Sequence, residues 1–293
     1  SYLLEASPSV AACDLHPGYV NSDVAKGLGL PLLMVQHHYA HILSYMAEND
    51  HKGPVIGVSF DGTGYGTDGT IWGGEFLLAD YKGFIRLGSV KPFHHVGGDI
   101  ASKEGWRIAV SLLGSLYEDD RAREIAQELE LCDKKSAGVI MTMARRKINT
   151  IISTSAGRIF DAVSAVLGIC KVNTYEGEAS TFLQFAAERY EEHLEKNQIG
   201  SIREFDFEEN QRDKDTKNNP VKITGSKLLD IISDGDDHVP YVRLRTDLIV
   251  KHIVEERLAG ADPDALAFWF HEKLAEAIVA ACCLIKDSIL AEN

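Results

Sequence analysis

Apolar and polar residues follow two rhythms along this chain, and the change falls near residue 97. Before it, short continuous apolar runs bounded by turn signals predict buried strands. Residues 10–14, 31–35 and 55–60 read this way, followed by 70–80 and 84–91 across a Lys82-Gly83 turn. Asn21 is placed to cap a helix running to about Leu28, with Gly29 as its stop, so the opening is a β-α-β unit. A helix-like run from His37 to Asn49 separates it from the next strand. After Gly97-Gly-Asp99, apolar residues recur at three- and four-residue spacing. That spacing predicts helices over 100–116, 119–131, 134–149, 155–167, 178–196, 226–233, 247–259 and 263–290. Residues 198–220 are the most polar segment, with 208–219 nearly devoid of apolar side chains, and read as a surface loop or insertion. The pattern predicts an α/β protein: a sheet lobe over 1–96, a mainly helical lobe over 97–293, and a cleft where they meet.

Composition narrows the class. The 293 residues suffice for one large domain or two lobes, and 45% hydrophobic with 25% charged is a globular balance. A net charge of −14, from 30 basic and 44 acidic residues, argues against nucleic acid as a partner while leaving a small nucleotide open. No apolar run is long enough to span a membrane, and no secretory leader is expected. Five cysteines (Cys13, Cys132, Cys170, Cys282 and Cys283) show no C-x-x-C spacing, and the odd count points to a reducing, cytoplasmic setting. The chain opens at Ser1 without an initiator methionine and is expected to be a piece of a longer protein.

The candidate chemistry lies between residues 35 and 75. His37 and His41 share one face of a helical turn, a spacing at which two imidazoles hold one metal ion. The same spacing occurs on an amphipathic helix with no ion. His38 lies on another face and is a candidate for contact with substrate. The run 55–60 delivers Asp61 into Asp61-Gly-Thr-Gly-Tyr-Gly66, which reads either as a tight hairpin or as a loop for close ligand approach. A strand-end carboxylate beside glycine N–H groups suits a metal-bound phosphate, and Asp61 would complete a facial triad for Fe or Zn. Neither a Walker sequence nor a dinucleotide fingerprint is present. Asp161 and Glu178 fall near helix starts, where a carboxylate is stabilised whatever its function.

Eight short motifs occur in an order that resembles one family. They are His16-Pro17, Val35-Gln-His-His-Tyr-Ala-His41, Phe60-Asp-Gly-Thr-Gly-Tyr-Gly66 and Trp72-Gly-Gly-Glu75, then Gly97-Gly-Asp99, Trp106-Arg107, Ser155-Ala-Gly-Arg-Ile-Phe-Asp161 and Tyr175-Glu-Gly-Glu178. Together they resemble the C-terminal, Kae1-like domain of the hydrogenase maturation carbamoyltransferases, the HypF family. The resemblance covers about residues 10–195 and extends weakly to Phe270-His271. It implies an actin/Hsp70/sugar-kinase-like fold of ribonuclease-H-like lobes, with nucleotide in the cleft. It implies His37, His41 and Asp61 as ligands of a divalent metal, and Gly62, Thr63 and Gly64 as a phosphate-facing loop. Asp161, Gly177 and Glu178 fall where relatives hold the nucleoside.

The reaction implied starts from ATP and carbamoyl phosphate, which give a carbamoyl-adenylate in a preceding domain. The carbamoyl group then passes to the C-terminal cysteine of a partner, HypE, on the way to the cyanide ligand of nickel-iron hydrogenase. Other readings are a relative acting on a small-molecule hydroxyl or on tRNA, and a non-catalytic HypE-docking module. A later nucleotide loop and a further aspartate ligand usual in the family are missing before Asn293, as are the domains that precede this one. The fold is therefore expected to be incomplete, with the other HypF domains supplied in cis or in trans.

Overall fold

The computed structural model describes residues 7–196, 225–232 and 240–291. Strand β1 (Ala11–Asp14), helix α1 (Val20–Gly27) and strand β2 (Leu32–Val35) form the expected β-α-β unit, the strands pairing in parallel with Asp14 opposite Val35. Helix α2 (His37–Glu48) follows directly. Strands β3 (Val55–Tyr65), β4 (Ile71–Asp80) and β5 (Gly83–Val90) then make an antiparallel meander. Next come β6 (Phe93–Val96), α3 (Asp99–Lys103), α4 (Gly105–Leu116), α5 (Asp119–Glu128), α6 (Lys134–Arg146), β7 (Thr150–Ser153), α7 (Ala156–Val166) and α8 (Glu178–Lys196). A 3-10 turn (Gly225–Leu228), β8 (Leu229–Ile232), β9 (Tyr241–Leu244), α9 (Thr246–Leu258) and α10 (Pro263–Ala291) complete the described chain.

Strands from both halves of the chain build one sheet, in the order β6-β7-β4-β5-β9-β8, with β3 on β4. Residue 97 therefore does not divide the sheet from the helices. Residues 226–233 were expected to be helical, yet 229–232 form a strand, and β6, β7 and β9 were not anticipated. Four-residue strands fall below the length at which apolar spacing separates strand from helix. The alternation in Tyr241-Val-Arg-Leu244 is nonetheless real: Val242 and Leu244 are fully buried and pack against the helices. The helix expected over 100–116 breaks at Glu104, where the backbone turns to φ −100 and ψ 80. Residues 198–220, read as a surface insertion, lie outside the described residues.

Two cores sandwich the meander. Phe76 belongs to the large one, with Ile108, Leu113, Ile159, Leu183, Ile253 and Phe270 from the helices. Leu77 and Ala79 belong to the other, where Ile42 and Met46 of α2 press onto Trp72. Burying Ile42 and Met46 contributes about 1.5–3 kcal/mol each, and it fixes the helix that carries the histidines.

The start of β4 is held by a buried carboxylate. Glu75 has no exposed surface; its Oε2 accepts from Arg86 Nε at 2.7 Å, and its Oε1 accepts from Gly73 N at 3.2 Å and Gly74 N at 3.3 Å. The Thr154 hydroxyl also donates to Oε1. Arg86 lies over the Trp72 ring at 4.1 Å and donates to Asp68 Oδ2 at 3.0 Å. Removing one partner of a buried pair leaves an uncompensated charge. Arg86→Met is expected to cost about 3–5 kcal/mol, read as a lower urea midpoint; a change under 1 kcal/mol would mean Glu75 is held by its other donors alone.

Candidate metal centre

Gln36 starts the histidine helix. Its Oε1 accepts from Tyr39 N at 2.9 Å as the N-cap, while its Nε2 reaches Tyr65 O at 3.2 Å and His38 Nδ1 at 3.1 Å. One side chain thus caps α2, ties it to the end of β3 and orients His38. The first turn then presents His37 and His41 on the same side, with their Nε2 atoms 3.2 Å apart.

Asp61 meets them from a bulge within β3. The strand continues past Phe60, where a turn was expected, and the hairpin turn lies instead at Gly66–Gly69. Phe60 pairs with Gly74 and Gly64 with Trp72, so Asp61, Gly62 and Thr63 stand opposite Gly73 alone. The extra residues bend the strand and re-aim a side chain. Asp61 Oδ2 comes to 2.9 Å from His37 Nε2 and 3.6 Å from His41 Nε2. Burial acts to raise the Asp61 pKa, but the Gly62 N–H and His37 outweigh it, and the carboxyl is held below its ordinary value.

The three donor atoms fit a cation. Ligand atoms about 2.0–2.2 Å from one ion in a tetrahedral array stand about 3.4 Å apart, close to the 2.9, 3.2 and 3.6 Å found here. Chemistry agrees with geometry. A neutral imidazole that donates through Nδ1 offers only a lone pair at Nε2, and His37 Nδ1 faces Asp14 Oδ2 at 2.9 Å. Lone pairs of His37 and Asp61 then face each other, an arrangement that a shared proton or a cation relieves. The side chains are open enough to receive one: His41 is 58% exposed, Asp61 35% and His37 30%.

His38 takes a different place from the one expected of a substrate contact. It is wholly buried, and burial above all, then the charge of His37, pushes its pKa down to about 4. Its Nδ1 faces Gln36, and its buried Nε2 has no hydrogen-bond partner among the described residues. Gly64, expected to face phosphate, packs against these rings: a Cβ there would lie 2.5 Å from His38 Cε1.

Gly62 and Thr63 sit at the crest of the bulge, against the start of α7. Ser155 caps that helix by accepting from Arg158 N at 3.1 Å, and its hydroxyl donates to Gly62 O at 2.6 Å. Asp161, Gly177 and Glu178 gather elsewhere. Asp161 is 2% exposed, its Oδ1 accepting from Asn173 Nδ2 at 3.1 Å. Arg158 Nη1 lies 3.0 Å from Asp161 Oδ2, an ion-pair distance without hydrogen-bond alignment. Burial raises the Asp161 pKa against the pull of Arg158. Glu178 accepts from Thr174 N and closes the turn through Gly177, whose φ is +79. Arg158 links the two groups, since a Cβ on Gly62 would lie 3.5 Å from its Nη2.

Sequence reasoning passed over Asp14 and Tyr19. Asp14 ends a strand as Asp61 was read to do, so the same argument applied to both. Tyr19 stacks on His16 at 4.1 Å, and burial, then the charges of Asp14 and Asp61, raise its pKa.

A mixed α/β fold whose strand bulge carries a carboxylate onto two helical histidines defines a Kae1-like domain with a metal-competent cluster. Residues 57–292 match the family described as "Carbamoyltransferase, Kae1-like Domain, second subdomain", and residues 1–48 match "HypF Kae1-like domain". The chain belongs to this HypF carbamoyltransferase family. The two matches meet between residues 48 and 57. Carbamoyltransferase HypF of Rhodobacter capsulatus is 42% identical over 193 residues, which is 63% of this chain and 25% of that protein. The Rhizobium leguminosarum bv. viciae protein of the same name is 38% identical over 178 residues, 61% and 23% of the two chains. The chain thus spans about a quarter of the length of these relatives. A crystal structure of full-length HypF in a phosphate- and nucleotide-bound form superposes with a TM-score of 0.76 at 30% identity, covering 97% of this chain and 38% of that one. HypF of T. kodakarensis gives a TM-score of 0.70 at 28% identity over 94% and 32%. Among the described residues no helix is long and apolar enough to cross a membrane.

Three buried histidines make stability depend on pH. Burial lowers His38, His95 and His252 from 6.5 to about 4. Below pH 6.5 the unfolded chain gains protons that the folded one refuses, so stability is whole above 6.5 and falls as pH drops towards 4. At pH 5 the loss is about 2 kcal/mol per histidine. Urea unfolding should show a clearly lower midpoint at pH 5 than at pH 7.5; coincident curves would show that the rings are not held neutral.

Proposed function

We propose that this domain transfers a carbamoyl group from carbamoyl-adenylate to the C-terminal cysteine of HypE during hydrogenase maturation. The observation that carries the proposal is the convergence of His37, His41 and Asp61 within 4.8 Å, next to the Gly62 bulge. On this reading His37, His41 and Asp61 hold a divalent ion, iron or zinc. When bound, that ion acts as a Lewis acid on the carbonyl and phosphate oxygens of the mixed anhydride. The chain's own residues do the rest. Gly62 and Thr63 receive the phosphate at the mouth of α7, where the helix dipole favours an anion. Asp161, Gly177 and Glu178 shape the nucleoside end, with Asp161 acting through Arg158 and Asn173. His38 acts by position, on the buried face of the ligand helix.

The HypE thiolate attacks the carbamoyl carbon, a C–S bond forms, the bond from that carbon to the phosphate oxygen breaks, and AMP leaves. The nucleophile comes from the partner. Support for that comes from this chain's thiols: burial pushes Cys132 up to about 11 and also raises Cys170 and Cys282, the reverse of an activated cysteine. The solved relative bound to phosphate and nucleotide supports a small nucleotide as ligand. Contacts with the remaining HypF domains belong to the same proposal, as does a cytoplasmic location.

His37→Ala and His41→Ala, introduced into a full-length HypF carrying this domain, are expected to abolish carbamoylation of HypE. Transfer is followed by the mass gain on the HypE C-terminal peptide, with circular dichroism unchanged. Metal content should fall with it. Undiminished transfer by either variant refutes the assignment.

A further inference from the structure

We infer that Asp14 is a positioning residue that holds Nδ1 of His37 as a hydrogen-bond donor, keeping Nε2 turned towards the cation site. The inference rests on the metal reading above. Asp14 is the last residue of β1, and its pairing opposite Val35 in β2 places it beside the helix that begins two residues later. Both its oxygens are engaged: Oδ1 accepts from His16 N at 2.8 Å, and Oδ2 lies 2.9 Å from His37 Nδ1. The side chain is only 13% exposed, so water competes weakly for it.

An ionised carboxylate only accepts hydrogen bonds. His37 Nδ1 must therefore donate, and in the neutral ring the lone pair is left at Nε2. That atom faces Asp61 Oδ2 at 2.9 Å and His41 Nε2 at 3.2 Å. Without Asp14 the ring is free to adopt the other tautomer. An Nε2–H would then donate to Asp61, satisfy that carboxylate and close the position a cation needs. Outer partners of this kind orient ligating imidazoles and typically change metal affinity 10–100-fold when lost.

The simpler alternative is that Asp14 only closes the turn at His16. Asp14→Asn separates the two. The amide keeps an oxygen for His16 N and turns its NH2 towards His37 Nδ1, which must then accept, moving the ring proton to Nε2. In the metal-free chain, nitrogen-15 spectra of the His37 ring are expected to show a protonated Nδ1 in wild type, whether or not Nε2 shares a proton with Asp61, and a bare Nδ1 in Asp14→Asn. Zinc titration is expected to give about 10–100-fold weaker binding for the variant, with an unchanged far-ultraviolet spectrum. Wild-type zinc affinity in Asp14→Asn overturns the inference while leaving the metal reading intact. A bare Nδ1 in metal-free wild type overturns it whatever the variant does. A wild type that takes up no zinc overturns the metal reading and this inference together.

Discussion

The site exists because backbones meet at distances that a side chain would forbid. A Cβ on Gly73 would sit 2.6 Å from Asp61 O, and one on Gly157 would sit 2.9 Å from Gly62 Cα. The bulge is thus clamped between the start of β4 and the first turn of α7. The Ser155 hydroxyl joins the bulge to the helix, capping α7 while donating to the bulge carbonyl of Gly62. In an uninterrupted pleat the alternation of side chains would not have to bring Asp61 onto α2. The clamp makes it do so, and it sets the positive end of the α7 dipole beside the same residues.

Gly73 ties this clamp to a second constraint. Its N–H, with that of Gly74, donates to the fully buried Glu75, whose charge Arg86 balances. A carboxylate wholly out of water is tolerable only with such a shell of donors. Trp72-Gly-Gly-Glu75 is therefore explained by the fold without any contact to substrate. Trp72 lies under Arg86 and shares a core with Ile42 and Met46. The same four residues thus serve both the bulge and the histidine helix.

Much of this was legible in sequence because the site is built from local patterns. The i, i+4 histidines, the strand before Asp61 and the glycines each carry their own signal, and α2, β4 and β5 fall within one or two residues of the expected bounds. What escaped reading depends on partners far along the chain. The hairpin signal of Asp61-Gly was read as a turn, whereas pairing of Gly64 with Trp72 carries the strand through it. β7 and β9 are four residues each and become strands only because β4, β5 and β6 offer edges to pair with. His38 has the same residue type and helix as its neighbours, and only the Gln36 and Gly64 contacts reveal that it faces inward.

The gradient of burial across the site gives it a direction. Asp14 and His38 lie beneath, 13% and 0% exposed, while His41 stands at 58% on the outer side. Groups that orient the ligands are thus shielded from water, where their hydrogen bonds count for most. The ligand atoms themselves are presented outward. On the proposed reading this polarity suits a reaction whose nucleophile is delivered by another protein. A deep pocket would exclude a polypeptide tail, whereas a shallow triad on a rigid, shielded base admits one without giving up the alignment of its donors.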